Sequence, residues 1–321
     1  MNVKGEKRLG IAMSGAAARS VFYLGFLEVL KENEIPIHVI AAQSGASIVA
    51  SAYACGTMDK LKTLLFELTW MQLYSLFRKT ENGGGLFSLS ACEEYIRHHI
   101  TTGKSFHEVD TVLSFPATNL NSGEVVSLGM GDIAHGIHAT CAIPGLFAPV
   151  HWGRYELVDG GLLSIVPGKY AREAGADVVI GVDAKATRHI FMPVHITAKA
   201  WYIYMRNLVQ NGLFSRVRLA ARRGIVAEGI EVDIVHDAVF DDARKGRTWW
   251  QVVNRSLDLV LGARGVLEDT KHPYGCDLVI SQGMGSYGDS LKFSDIRKVH
   301  TEGRKVAEEN LQQILDLLNS K

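Results

Sequence analysis

The chain lacks a long apolar run, a net charge, any cysteine pattern and, with seven prolines in 321 residues, a proline-rich linker. No stretch of about 18 apolar residues occurs, so no membrane-spanning helix is expected. Lysine plus arginine and aspartate plus glutamate both number 34, which removes the global field that would draw the chain to nucleic acid or to an anionic membrane. Any membrane contact must then be local. Cys55, Cys92, Cys141 and Cys276 are scattered, without a CxxC pair, a zinc spacing or a disulfide framework, and suit a reducing compartment. Met1 to Arg8 is polar and basic and leads into a short strand-like run rather than an apolar signal core. The expected location is cytoplasmic, with peripheral membrane association as the alternative.

What is present suffices for a large core: 47% of the residues are hydrophobic and 32 are glycine. One α/β domain over residues 1–321 is expected, because such domains often exceed the usual ~100–200 residues. The apolar run at 8–13 ends in Ser14-Gly15, after which apolar residues recur at helical spacing through Leu30. Pro36 introduces a second apolar run, 37–42, which stops at Gln43-Ser44-Gly45 and is followed by a helix of small residues ending near Gly56. A repeated strand, turn and helix is the signature of a parallel sheet with crossover helices. Residues 57–80 read as helical, and Asn82-Gly83-Gly84-Gly85 as a flexible stretch able to hinge a lid. A hairpin is predicted from 111–118 and 124–128, further strands at 154–158, 177–183, 231–236 and 277–280, and an amphipathic helix at 294–319.

Two strand-to-helix turns carry the chemistry. The segment Ser14-Gly15-Ala16-Ala17-Ala18-Arg19 aims backbone N–H groups at the start of a helix, where they can hold a phosphate or an oxyanion. It lacks the Gly-Lys-Ser/Thr of nucleotide hydrolases and the GxGxxG of dinucleotide folds. In Ala42-Gln43-Ser44-Gly45-Ala46 a hydroxyl stands at the tip of a sharp bend between small residues, as in a nucleophile elbow. Ser44 as a plain helix N-cap is the competing reading. A base is available in Asp159 of Val158-Asp159-Gly160-Gly161, against which stands an ordinary Asx turn. A triad through His138 or His151 stays open. His98-His99 and His135/His138 have no carboxylate or cysteine at a recognisable ligand spacing and read as solvated or packed. Trp201 to Met205 with Arg216, Arg218, Arg222 and Arg223, and Arg244 to Trp250, mix cations and aromatics as membrane-interface segments do; an amphipathic helix packing its aromatics inward is the plainer account.

Four ordered blocks resemble the bacterial patatin-like phospholipase family. Leu9–Leu27 resembles its glycine-rich oxyanion block, and Ile35–Gly56 its strand, serine elbow and helix. His138–Val150 resembles its Ala-Ser-x-Ala-x-Pro-x-x-Phe-x-Pro-Val segment. Val158–Leu162 with Pro167, followed by Gly175–Asp183, resembles its Asp-Gly-Gly block and the strand beyond. The resemblance implies a three-layer α/β/α patatin-like fold with a mainly parallel central sheet, its core at about 8–190 and a C-terminal helical extension at about 191–321. It implies a serine acyl hydrolase acting on lipid esters (phospholipase A, lysophospholipase or carboxylesterase) through an acyl-enzyme, without metal or cofactor. Ser44 would be the nucleophile and Asp159 its partner. Backbone N–H groups of Gly15, Ala16, Ala17 and Ala18 would form the oxyanion hole, with Arg19 in support. The alternative is a catalytically silent relative that binds lipid or a protein partner in the same place. Ala16, Ala17, Ser20, Ala42 and Ala46 stand where the family usually has glycine, and a Cβ costs roughly 1–2 kcal/mol at any of these positions that needs positive φ.

Overall fold

The computed structural model describes residues 7–80, 83–184, 247–249, 251–256, 273–281 and 295–320. The expected strand at 231–236, the aromatic and arginine segment at 201–223 and most of 244–250 lie outside them. The chain enters with β1 (Leu9–Met13), every residue of which is buried. Alternate side chains of a strand point to opposite faces. Leu9, Ile11 and Met13 accordingly join one hydrophobic cluster, while Ala12 joins a second, with Val39, Ala41 and Val179. A sheet with apolar residues on both faces must be covered twice. The first face is covered by α1 (Val21–Glu32), α2 (Gly45–Ala54), α3 (Met58–Glu67) and α6 (Ile133–Thr140). The second is covered by α7 (Gly168–Glu173) through Ala171. The result is a three-layer α/β/α arrangement.

Five strands of the central sheet run parallel, in the order β11 (Leu278–Ser281), β10 (Val178–Asp183), β1, β2 (Val39–Ala42) and β5 (Val112–Asn119). The sheet then turns antiparallel. The second half of β5 pairs with β6 (Val125–Leu128), as the hairpin signal predicted, and also with β9 (Tyr155–Asp159), which pairs in turn with β8 (Val150–Trp152). β11 joins the sheet from beyond residue 190, so the part expected as a helical extension also supplies an edge strand. The C-terminal helix α8 (Ile296–Asn319) is amphipathic. It buries Ile296, Val299, His300, Gly303, Val306 and Ala307, a stripe at helical spacing that lies on α1.

Two expectations change. Residues 57–80 are not one helix: α3 ends at Glu67, α4 (Trp70–Ser75) follows, and Arg78–Lys79 forms β3, antiparallel to β4 (Gly85–Ser88). The glycines at 83–85 do not read as a free hinge. Gly83 and Gly84 take positive φ, and a Cβ on Gly85 would stand 2.2 Å from the Ala148 nitrogen. Gly85 is small because β4 runs hard against β7 (Gly145–Phe147). Asn82 lies outside the described residues.

Candidate active site

β1 and β2 end side by side, Met13 opposite Ala42, which places the two small-residue turns together at the carboxyl edge of the sheet. Ser44 is the second of the two residues between β2 and α2, with φ 53° and ψ −140°. A non-glycine residue in that region costs about 1–3 kcal/mol and persists only when its surroundings hold it. The surroundings here are specific. The Ser44 N–H donates to Thr140 Oγ1 (3.1 Å), and the Thr140 hydroxyl donates to Pro116 C=O (2.6 Å). Ser47 Oγ donates to Ser44 C=O (2.6 Å), and Gln43 Nε2 donates to the carbonyls of Ser164 and Ile165 (2.8 and 2.9 Å). The Ser44 side chain makes no capping bond, so the N-cap reading accounts for its position but not for its hydroxyl.

Asp159 Oδ1 accepts from the Gly161 N–H (2.8 Å), and the Ser44 side chain is near enough to favour the charged form of the carboxyl. Asp159 closes β9, its N–H donating to Ala142 C=O (3.0 Å). The two glycines after it have different reasons. A Cβ on Gly160 would meet Pro116 C=O at 2.1 Å, while Gly161 turns its amide onto the carboxylate. The Asx turn is therefore present. Burial pushes the Asp159 carboxyl up to about 6, against the bonds from Ser44 and Gly161 that favour its charged form.

The Gly15 loop lies against the elbow: a Cβ on Gly15 would stand 3.2 Å from the Ser44 Cβ. Ser14 N–H donates to Val182 C=O (3.1 Å) and Arg19 N–H to Ala16 C=O (3.0 Å). Among the described residues, no loop or cap hydrogen bond uses the amides of Gly15, Ala16, Ala17 or Ala18. The expected glycine-to-alanine strain is absent. Ala16 has φ −138°, and none of Ala16, Ala17, Ser20, Ala42 or Ala46 has positive φ. The strain is carried by Ser44 instead.

Arg19 is buried, with Nε and Nη1 unpartnered, beside Tyr23 and Asp183; desolvation lowers its pKa. Sequence reasoning missed the network beneath the loop. Ser14 Oγ donates to Asp183 Oδ1 (2.8 Å), and the Tyr23 hydroxyl donates to Ser14 C=O (2.8 Å) and accepts from Ala184 N–H (3.2 Å). Burial pushes the Tyr23 phenol far up, so it stays neutral.

Among the described residues no histidine bonds to Ser44 or Asp159. His151 is exposed on β8. His138 is turned to Glu93 of α5 (Ser90–Ile96), with Nδ1 2.5 Å from Oε2. The described part of the 244–250 segment packs inward: Arg247 pairs with Glu156, and Trp249 Nε1 donates to Gly145 C=O (2.7 Å). No helix among the described residues is long and apolar enough to cross a membrane.

The family model described as patatin-like phospholipase matches residues 11–172, a span that holds the Gly15 turn, the Ser44 elbow and Asp159. The chain belongs to the patatin-like phospholipase family. An uncharacterized NTE family protein of Mycobacterium tuberculosis is 26% identical over 185 residues, covering 57% of this chain and 51% of its own length. A lysophospholipase, NTE1, of Kluyveromyces lactis is 24% identical over 192 residues, 54% of this chain and 12% of its own length. The chain spans about half the length, or less, of these curated relatives. Among solved structures, VipD from Legionella pneumophila aligns with a TM-score of 0.41 at 13% identity, over 95% of this chain and 67% of its own.

Proposed function

We propose that this chain is a serine acyl hydrolase of lipid esters that works by a Ser44–Asp159 dyad. The observation that carries the reading is the Ser44 hydroxyl: held on a strained elbow, not used for capping, and set beside a buried carboxylate. A serine hydroxyl is a weak nucleophile until a neighbouring base takes its proton. Asp159, poised at about 6, is mostly ionised at neutral pH yet basic enough to accept that proton in the transition state. Ser44 Oγ adds to the ester carbonyl as its proton passes to Asp159. The oxyanion is received by amides of the Gly15–Ala18 turn, and one such donor is typically worth about 2.7–4 kcal/mol. Collapse expels the alcohol, which leaves with the proton from Asp159. Water, deprotonated by Asp159, then releases the acid and frees Ser44. Arg19 supports the loop from behind.

Similarity to the lysophospholipase of Kluyveromyces lactis makes lysophospholipid the first substrate to try. The test is turnover of a lysophospholipid and of short and medium p-nitrophenyl esters, with fluorophosphonate labelling, by the protein and by Ser44→Ala. Labelling and turnover abolished in the variant are the expected result. A wild-type protein that neither labels nor turns over any of them overturns it and leaves a lipid- or partner-binding relative as the reading.

A further inference from the structure

The histidines of α6 have a neighbour that no sequence spacing announces. His135 and His138 stand one turn apart on one face of the helix, and Glu93 reaches them from α5, 42 residues before His135. Glu93 Oε2 lies 3.2 Å from His135 Nδ1 and 2.5 Å from His138 Nδ1. Three donor atoms, one from each residue, lie within 4.8 Å of one another. We propose that Glu93, His135 and His138 form a binding site for a zinc-class divalent cation, distinct from the ester-cleaving dyad.

The donor set is the first argument. Two imidazole nitrogens and one carboxylate oxygen suit borderline cations such as Zn2+ or Co2+. Bonds of about 2.0–2.1 Å put tetrahedral donors about 3.3 Å apart, a spacing the Glu93–His135 pair already has and the tighter Glu93–His138 pair reaches by opening less than an ångström. The surroundings are the second. Metal-bound histidines and carboxylates are usually oriented by further hydrogen bonds. The His135 ring is stacked on Trp152, with centroids 4.8 Å apart. Arg97 donates to Glu93 Oε1 (2.5 Å), leaving Oε2 for the ion, and is itself held by both oxygens of Asp132. Asp132 also caps α6 by accepting the His135 N–H (2.7 Å). All three ligating residues are partly exposed, so an ion can enter and water can fill its fourth position. A bound cation would staple α5 to α6, the helix whose last residue, Thr140, receives the Ser44 amide.

The test uses the full chain, stripped with a chelator and titrated with Zn2+ and Co2+. Calorimetry should find one saturable site, with a raised thermal midpoint, and affinity at least tenfold weaker in His135→Gln and His138→Gln proteins whose far-UV spectra are unchanged. If either variant fails to fold, histidine carbethoxylation of the wild type decides: Zn2+ should protect His135 and His138 and leave His98 reactive. No saturable binding, undiminished affinity in folded variants, or equal reactivity with and without Zn2+ overturns the proposal and leaves the cluster a hydrogen-bonded pair of histidines on a carboxylate. None of these readouts depends on hydrolysis, so the two proposals fail separately.

Discussion

At the residue scale, Asp159 is held at a cost. Its carboxyl is pushed up to about 6 by burial, so between its unfolded pKa of ~3.9 and about 6 the folded chain keeps a proton that the unfolded chain has lost. Fewer protons on the unfolded state mean that stability falls as pH rises through this window. Two pH units correspond to about 3 kcal/mol as an upper figure. Asp159→Asn keeps an oxygen for the Gly161 amide and removes the buried charge. It should abolish ester turnover and raise the thermal midpoint at pH 8 while changing it little at pH 4; equal midpoint shifts at the two pH values would contradict the assignment. In the native protein kcat/KM should climb through pH about 6 as the base ionises. Ser44 offers a parallel test, because its φ of 53° suits glycine. Ser44→Gly should be more stable than Ser44→Ala by about 1 kcal/mol by denaturant titration, with both inactive.

At the scale of elements, the elbow and the Gly15 loop meet with no room to spare. A Cβ on Gly15 would press the Ser44 Cβ at 3.2 Å, tighter than ordinary contact, without disturbing the strands behind it. Gly15→Ala should therefore reduce kcat at least tenfold with little change in thermal midpoint; unaltered turnover would show that the loop is not part of the reacting geometry. β1, β2, the β5–β6 hairpin, β9 and β10 were all legible from apolar runs stopped by turn residues, because short-range patterning dictates buried strands. Ser44 and Asp159 stood out for the same local reason, each following such a run. What could not be read is whatever depends on two distant segments touching. Gly85 looked like a hinge because nothing nearby in sequence shows Ala148 against it. His135 and His138 looked unpartnered because Glu93 comes from another helix. The alanines of the Gly15 loop looked strained because sequence does not give φ.

At the scale of the whole molecule, the two ends of the described chain are fastened together by α1 and α8. A Cβ on Gly303 would stand 1.9 Å from Phe22 C=O, and one on Gly25 would stand 2.2 Å from His300 C=O, so the helices cross with their backbones in contact. Gly303→Ala forces them apart and should cost about 1–3 kcal/mol in urea unfolding. The same crossing carries a charge cluster. Glu28 of α1 accepts from His300 Nε2 (3.0 Å) and Arg304 Nη1 (3.1 Å) of α8, and pairs with Lys62 of α3 (3.1 Å). Burial alone would raise the Glu28 carboxyl; its bonds to His300 and Lys62 overcome that and hold it down at about 2. The sign is opposite to that of Asp159. Here the unfolded chain takes up the proton first, so the contribution of Glu28 is complete above its unfolded pKa of ~4.3 and is lost as pH falls toward 2. Glu28→Gln should accordingly lower the unfolding free energy at pH 7 by an amount on the order of 2 kcal/mol, and converge on the native protein near pH 2. If the gap persists at that pH, the helix crossing rests on its packing at Gly25 and Gly303 rather than on the charge that Glu28 holds.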